Sequence, residues 1–223
     1  MNSFKLYCEN EKLFTPFNIK KRIADNIAVA KATLENYIAN PEGSLNLAGY
    51  TNLTSLPDNL TRIDGDLNLR GLKSLTNIGG VKYIKYDLVV SGASNVDVPP
   101  DLYIGESIYG SASGLSNIPT GNLTYQTIKL NTCLRLKTIP EGIVCKDTFE
   151  LSNCNNLTSL PKKLTAKYLD IQFCDFDLSM TVEDYNEFDV GTIKVNSTLY
   201  NRNRKQFEFL SRYKKVGIEL AGY

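Results

Sequence analysis

The 223-residue chain contains no histidine and no tryptophan. Without histidine, Ser-His-Asp and Cys-His nucleophile activation, His-containing zinc sites and the commonest general base near neutral pH are all unavailable. The glycines form neither GxGxxG nor a P-loop. No enzyme activity, no metal and no cofactor is therefore expected. Charge of one sign is also lacking: 25 Lys and Arg face 24 Asp and Glu, which gives no general argument for nucleic acid or an anionic membrane. No apolar run approaches the ~18 residues that span a bilayer. The opening MNSFKLYCENEKLF has no apolar core of signal-peptide length. The expectation is a cytoplasmic protein, of the producing or a host cell, with no membrane partner. Its five cysteines should then be mostly free thiols.

What the chain does have is repetition. The hexapeptide NLTSLP at residues 52–57 recurs unchanged at 156–161. Upstream of the two copies stand the apolar pairs Leu45/Leu47 and Phe149/Leu151. Between and beyond them lie Leu67/Leu69, Leu88/Val90, Ile108/Gly110, Ile128/Leu130 and Leu169/Ile171, at steps of 22, 21, 20, 20, 21 and 20 residues. Ile193/Val195 makes a possible eighth rung, 24 residues on. Later apolar positions keep step: Leu53, Leu75, Val96, Leu136 and Leu157, then Leu56, Ile78, Ile118, Ile139 and Leu160, four of these last followed by proline.

An apolar–polar–apolar triplet is a short strand with one buried face, and the proline suits an extended return segment that donates no ladder bond. One such unit cannot bury its own apolar face, so the units must stack into a solenoid with a continuous core. The pattern in FELSNCNNLTSLP (149–161) resembles the leucine-rich repeat, and its short period and LP return resemble the bacterial and phage type. The resemblance implies an α/β-type solenoid: a parallel sheet on the concave face, an irregular, extended convex side, and helical caps at both ends. It divides the chain into an N-terminal cap (1–42), about seven repeats (43–178) and a C-terminal cap (179–223). Tyr50, Leu72, Ala93 and Ser113 stand where the family places Asn or Cys, and Gly110 interrupts the middle strand, so less regularity is expected there.

Cys133, Cys154 and Cys174, 21 and 20 residues apart, fall in one column of the stack. A metal or redox site is one reading; the one the resemblance implies is an inward ladder that hydrogen-bonds turn backbone. Cys8 and Cys145 show no partner pattern. The five N-x-S/T sequons follow the repeat consensus and are read as its by-products.

Residues 15–40 read as a helix laying Ile23, Ile27, Ala30, Leu34, Tyr37 and Ile38 over the first rung, with a partner-binding helix as the alternative. At the other end, the repeat lapses at Asp177, and Thr181 is placed to open a short helix through Phe188. A helix over Ser197–Tyr213 and a short tail follow. Seven acids lie between Tyr168 and Ile193, and seven bases from Lys194 onward. These are read as two halves of one cap. The alternative is a basic helix that contacts nucleic acid or phosphate through Arg202, Arg204 and Lys205.

On the concave strands the residues between the leucines point outward. Arg70, Val89, Tyr109, Lys129, Glu150 and Asp170 are the candidate partner contacts, with Tyr109 as anchor and the charged residues for orientation. The expected function is non-enzymatic protein–protein interaction, by a bacterial or phage protein that modulates or inhibits a host protein. Nucleic-acid binding through the C-terminal helix is the alternative.

Overall fold

A computed structural model describes residues 16–176, 178 and 184–221. In chain order the elements are helix α1 (Pro16–Ala39), then β1 (Leu45–Asn46), β2 (Arg62–Ile63), β3 (Leu67–Asn68), β4 (Tyr83–Ile84), β5 (Leu88–Val89), β6 (Tyr103–Ile104) and β7 (Ile108–Tyr109). Next come β8 (Thr124–Tyr125), β9 (Ile128–Lys129), β10 (Ile143–Glu150), β11 (Leu164–Asp170) and β12 (Phe188–Val195). Helices α2 (Ser197–Arg202) and α3 (Arg204–Tyr213) precede β13 (Gly217–Leu220).

The main sheet is open and parallel, in the order β1-β3-β5-β7-β9-β10-β11-β12-β13. Each rung donates to the next: Leu45 N–H reaches Asp66 O and Leu47 N–H reaches Asn68 O, both at 2.8 Å. The leucine, isoleucine, valine and phenylalanine pairs of every rung are buried, Leu45/Leu47 through Ile193/Val195. They form one continuous core that no single rung could close. At strand spacing, nine rungs make a sheet ~38 Å wide. Rung four is as regular as its neighbours: Ile108 pairs in register with Leu88 and with Ile128. Gly110 fits because the methyls of Leu130 and Leu115 occupy its side-chain space, 2.8 and 2.9 Å from where a Cβ would stand.

The side of the unit expected to be irregular carries strands of its own. β2, β4 and β6 form a second parallel sheet, and β8 pairs with β10. Ile63, Ile84, Ile104 and Tyr125 point into the core from these strands. Their outward neighbours stack: the Arg62 guanidinium lies 4.0 Å from the Tyr83 ring centroid, and Tyr83 stacks on Tyr103 at 5.0 Å. Such cross-strand pairs add to the ladder hydrogen bonds and buried isoleucines that hold these two-residue strands. In β10, β11 and β12 the two strand segments fuse into one.

The cysteine column is a hydrogen-bond ladder. The Cys133, Cys154 and Cys174 thiols donate to Gly110 O, Leu130 O and Leu151 O, at 2.9, 3.0 and 3.1 Å. Burial raises all three thiol pKa values, to about 12 for Cys154 and about 11 for Cys174. They are poor nucleophiles at neutral pH. Just before each column position the backbone turns left-handed. Gly49, Gly71 and Gly92 do so in the first three rungs, and Ala112, Thr132, Asn153 and Phe173 in the next four.

The ends differ from expectation in detail. The C-terminal half of α1 packs closely, with Ala30, Leu34 and Tyr37 buried, whereas Ile23 is 38% exposed and Ile27 half-buried. Tyr37 ties the helix down by donating to Gly43 O and accepting from Asp64 N–H, at 3.0 and 3.1 Å. At the other end the sheet runs on through β12 to β13, a strand in the stretch read as a short tail. The expected helix over Ser197–Tyr213 breaks at Asn203. That side chain, 2% exposed, donates to Phe176 O and Leu199 O and accepts Leu178 N–H at 2.6 Å. Asn203 leaves helical geometry at φ −109°, ψ 27° while satisfying these buried groups, although its N–H still donates to Leu199 O and its carbonyl still accepts from Phe207 N–H, both at 3.1 Å. Cys8, the helix start at Thr15, the lapse at Asp177 and the helix start at Thr181 lie outside the described residues. Asp184–Glu187 is a 3-10 turn, not part of an α-helix.

Candidate functional site

The main sheet presents three outward rows. The central row is Asn46, Asn68, Val89, Tyr109, Lys129, Glu150, Asp170, Lys194 and Glu219, each in register with the next. Val89, Tyr109, Lys129, Glu150 and Asp170 thus stand side by side as the sequence expectation places them. Arg70 does not join them: it lies two residues past Asn68, in the next row, and is exposed. Asp170 is not an open contact either, being only 8% exposed. Its carboxylate accepts Gln172 N–H at 3.0 Å and the Gln172 amide, capping its own strand end.

The other side chains divide by what already holds them. Lys129 Nζ pairs with Glu150 Oε1 at 2.8 Å, and Asn131 donates to Glu150 Oε2 at 2.7 Å. The Glu150 carboxylate raises the Lys129 pKa. Asn46 and Asn68 bond the backbone two residues on, Ala48 N–H and Arg70 N–H. In the row alongside, Asp66 and Asp87 accept the N–H of Asp87 and Ser107, at 3.1 and 2.9 Å. There the chain turns from one sheet into the other, and amides leaving the ladder need acceptors. Burial, then the Asp66 charge, raises the Asp87 pKa. Burial, then Asp170, Glu219 and Glu150, pushes the Tyr168 hydroxyl to about 12. The row therefore offers Val89 and Tyr109 as an apolar centre beside an internally paired, charged half.

The structure sets Arg202, Arg204 and Lys205 on either side of the Asn203 break. Arg202 pairs with Asp175, and Arg204 with Glu208 at 2.8 Å. Asp184 and Glu187 pair with Lys162 and Lys163 of the preceding rung.

Two exposed features escaped the sequence reading. One is the Arg62–Tyr83–Tyr103 stack, with Tyr86 under Lys85 at 4.8 Å. The other is the apolar pair Leu134 and Phe173, 51% and 53% exposed. The spacing of Gly49, Gly71 and Gly92 is a signal for the left-handed column, and so for the odd presence of Phe173 in it.

The described residues thus form a solenoid-like stack with an open parallel sheet and few helices. No family model, curated protein or solved structure matches the chain. Among the described residues no helix is long and apolar enough to cross a membrane.

Proposed function

We propose that the chain is a leucine-rich-repeat protein of the short bacterial or phage type. In this reading it is a non-enzymatic module that binds a partner protein on its concave sheet. The observation that carries the reading is the unbroken register of the central row, which sets Val89 and Tyr109 at the middle of a pre-formed surface. A surface built on paired strands loses little conformational freedom on binding, and tyrosine in a central position is among the residues enriched at interface hot spots. The resemblance of the repeats to bacterial and phage ones supports a host protein as the partner, modulated or inhibited by occupation of this face. The cytoplasm is the matching compartment.

The test is affinity capture with cross-linking from the native cell, comparing the wild-type chain with Tyr109→Ala/Lys129→Ala. A specific partner lost in the double variant supports the reading. A full set of partners retained by a folded double variant sinks it. Nucleic-acid binding through Arg202, Arg204 and Lys205 is the weaker reading, because carboxylates already neutralise Arg202 and Arg204.

A further inference from the structure

The two ends of the core are finished differently. At the first rung, Leu45 and Leu47 are 2% and 0% exposed, in one core with Ala30 and Leu34 of α1. At the ninth, the corresponding pair is Ile218 and Leu220, in register with Ile193 and Val195. Ile218 is only half-buried, and Leu220 is 56% exposed. A solenoid that ends in solution needs a cap with a polar outer face over its last rung. Here an apolar pair is left at the end.

The backbone is open at the same place. Among the described residues β13 is the last strand of the main sheet. Ala221 N–H donates to Val195 O at 2.9 Å. Backbone groups face alternate sides along a strand, so Glu219 also faces β12, and the N–H and C=O of Ile218 and Leu220 face away from it. Protected edges carry lysine, proline or a bulge. Gly217–Leu220 carries none of these. Beside it lies an open groove of about 540 Å³, lined by Ile218 and Leu220 on one side and by Tyr200, Phe207, Glu208, Ser211 and Arg212 on the other. Glu208 is already held by Arg204, whereas Arg212 has no carboxylate partner among the described residues.

We infer that the outer edge of β13 takes an extended segment of another protein as an added strand, and that this segment sets an apolar residue and a carboxylate into the groove. The site is separate from the Val89 and Tyr109 patch and does not rest on it. The occupant follows from the chemistry of the edge. Free donors and acceptors alternate along it, which a peptide backbone satisfies and a phosphate, with acceptors only, does not. Side chains of the added strand alternate between faces, so every second one falls on the side of Ile218 and Leu220. There the Tyr200 and Phe207 rings, stacked at 5.6 Å, supply apolar surface, and Arg212 supplies a fork for a carboxylate. A second copy adding its own β13 would bring another Arg212 and no free carboxylate, because Glu219 lies on the opposite face with Lys194.

The probe is a display library of short random peptides, selected on the wild-type chain and then synthesised singly. Enriched peptides should carry aspartate or glutamate two positions from an apolar residue. Affinities are compared on Leu220→Pro, Leu220→Ala, Arg212→Gln and Tyr109→Ala/Lys129→Ala. Leu220→Pro removes an outward N–H and no bond to β12, so its Tm should stay within about 3 °C of Leu220→Ala. It should bind at least about tenfold more weakly than Leu220→Ala. Arg212→Gln should cost about tenfold and flatten the salt dependence. Tyr109→Ala/Lys129→Ala should bind within about twofold of wild type. N-methylation of the peptide at alternate residues should abolish binding to the wild-type chain in one phase and spare it in the other. That readout stands even if Leu220→Pro does not fold. An absence of enriched peptides overturns the inference, as does equal binding to Leu220→Pro and Leu220→Ala or an N-methyl effect equal in both phases. So does wild-type affinity in Arg212→Gln, or a wild-type dimer that Leu220→Pro dissociates. Peptides kept by Leu220→Pro and lost in Tyr109→Ala/Lys129→Ala remove the edge site and support the concave face.

Discussion

Replacing Thr132 by glycine should stabilise the protein, against the usual direction of surface substitutions. Thr132 has φ 62° and is exposed. A residue with a Cβ loses ~1–2 kcal/mol in the left-handed region, and a β-branched side chain sits at the upper end. Glycine gives back ~0.5–1 kcal/mol through the freedom of its unfolded chain. The net gain is ~1–1.5 kcal/mol, or a Tm rise of about 2–6 °C. The Thr132 N–H still donates to Ser152 O at 2.7 Å, so no ladder bond is lost. The reverse substitution is a cleaner control. Gly71 has φ 75° with nothing within 4 Å of an added Cβ, so Gly71→Ala tests conformation without a clash. It should cost ~1 kcal/mol or more. Urea unfolding followed by circular dichroism gives both numbers. A destabilised Thr132→Gly, or a neutral Gly71→Ala, refutes the claim that this column is held left-handed against its own preference. Asn153→Gly should gain least, because asparagine tolerates this region best.

Further outcomes follow from the buried polar groups. Asn203→Ala strands Leu178 N–H and Phe176 O and should cost ~2–4 kcal/mol in the same urea assay. Cys154→Ala leaves Leu130 O without its thiol donor and should cost ~1–2 kcal/mol. In the native protein the column thiols should resist a disulfide reagent at pH 8 and react together on unfolding. Fast native labelling of Cys154 contradicts its pKa of about 12. Asp87→Asn should stabilise by ~0.5 kcal/mol at neutral pH. The folded pKa of Asp87 lies above its unfolded value, so the carboxylate costs stability above the folded pKa and not below the unfolded one. The advantage of Asp87→Asn should therefore fade as pH falls through the folded pKa of Asp87. An advantage that persists in acid refutes the electrostatic account.

Much of the main sheet was legible in the chain because its period is set by burial. Leu45/Leu47 and Phe149/Leu151 repeat the same spacing since each must fill the same slot, and the residues between them must then point outward. That logic places Val89, Tyr109, Lys129 and Glu150 in one row. It also sets Arg70, two residues past Asn68, in the row alongside. It does not say which polar groups the fold consumes for itself. Asp170 looks like a contact residue, yet it is turned onto Gln172 and buried.

The second sheet and the C-terminal end were hidden for another reason. Arg62–Ile63 and Tyr83–Ile84 are too short to show a period, and they become strands only when neighbouring rungs supply hydrogen-bond partners. The same holds for β13, four residues whose partner, β12, precedes them by two helices. The break at Asn203 depends on Phe176 and Leu178, more than twenty residues away in the chain. By itself, then, the sequence determined the repeat, its inward residues and the direction of its outward ones, because periodic burial is a local constraint written at every rung. The tertiary structure alone decided which outward groups are spent on backbone and which stay exposed, and that the sheet runs on to β13. Those outcomes depend on hydrogen-bond partners brought together from distant parts of the chain.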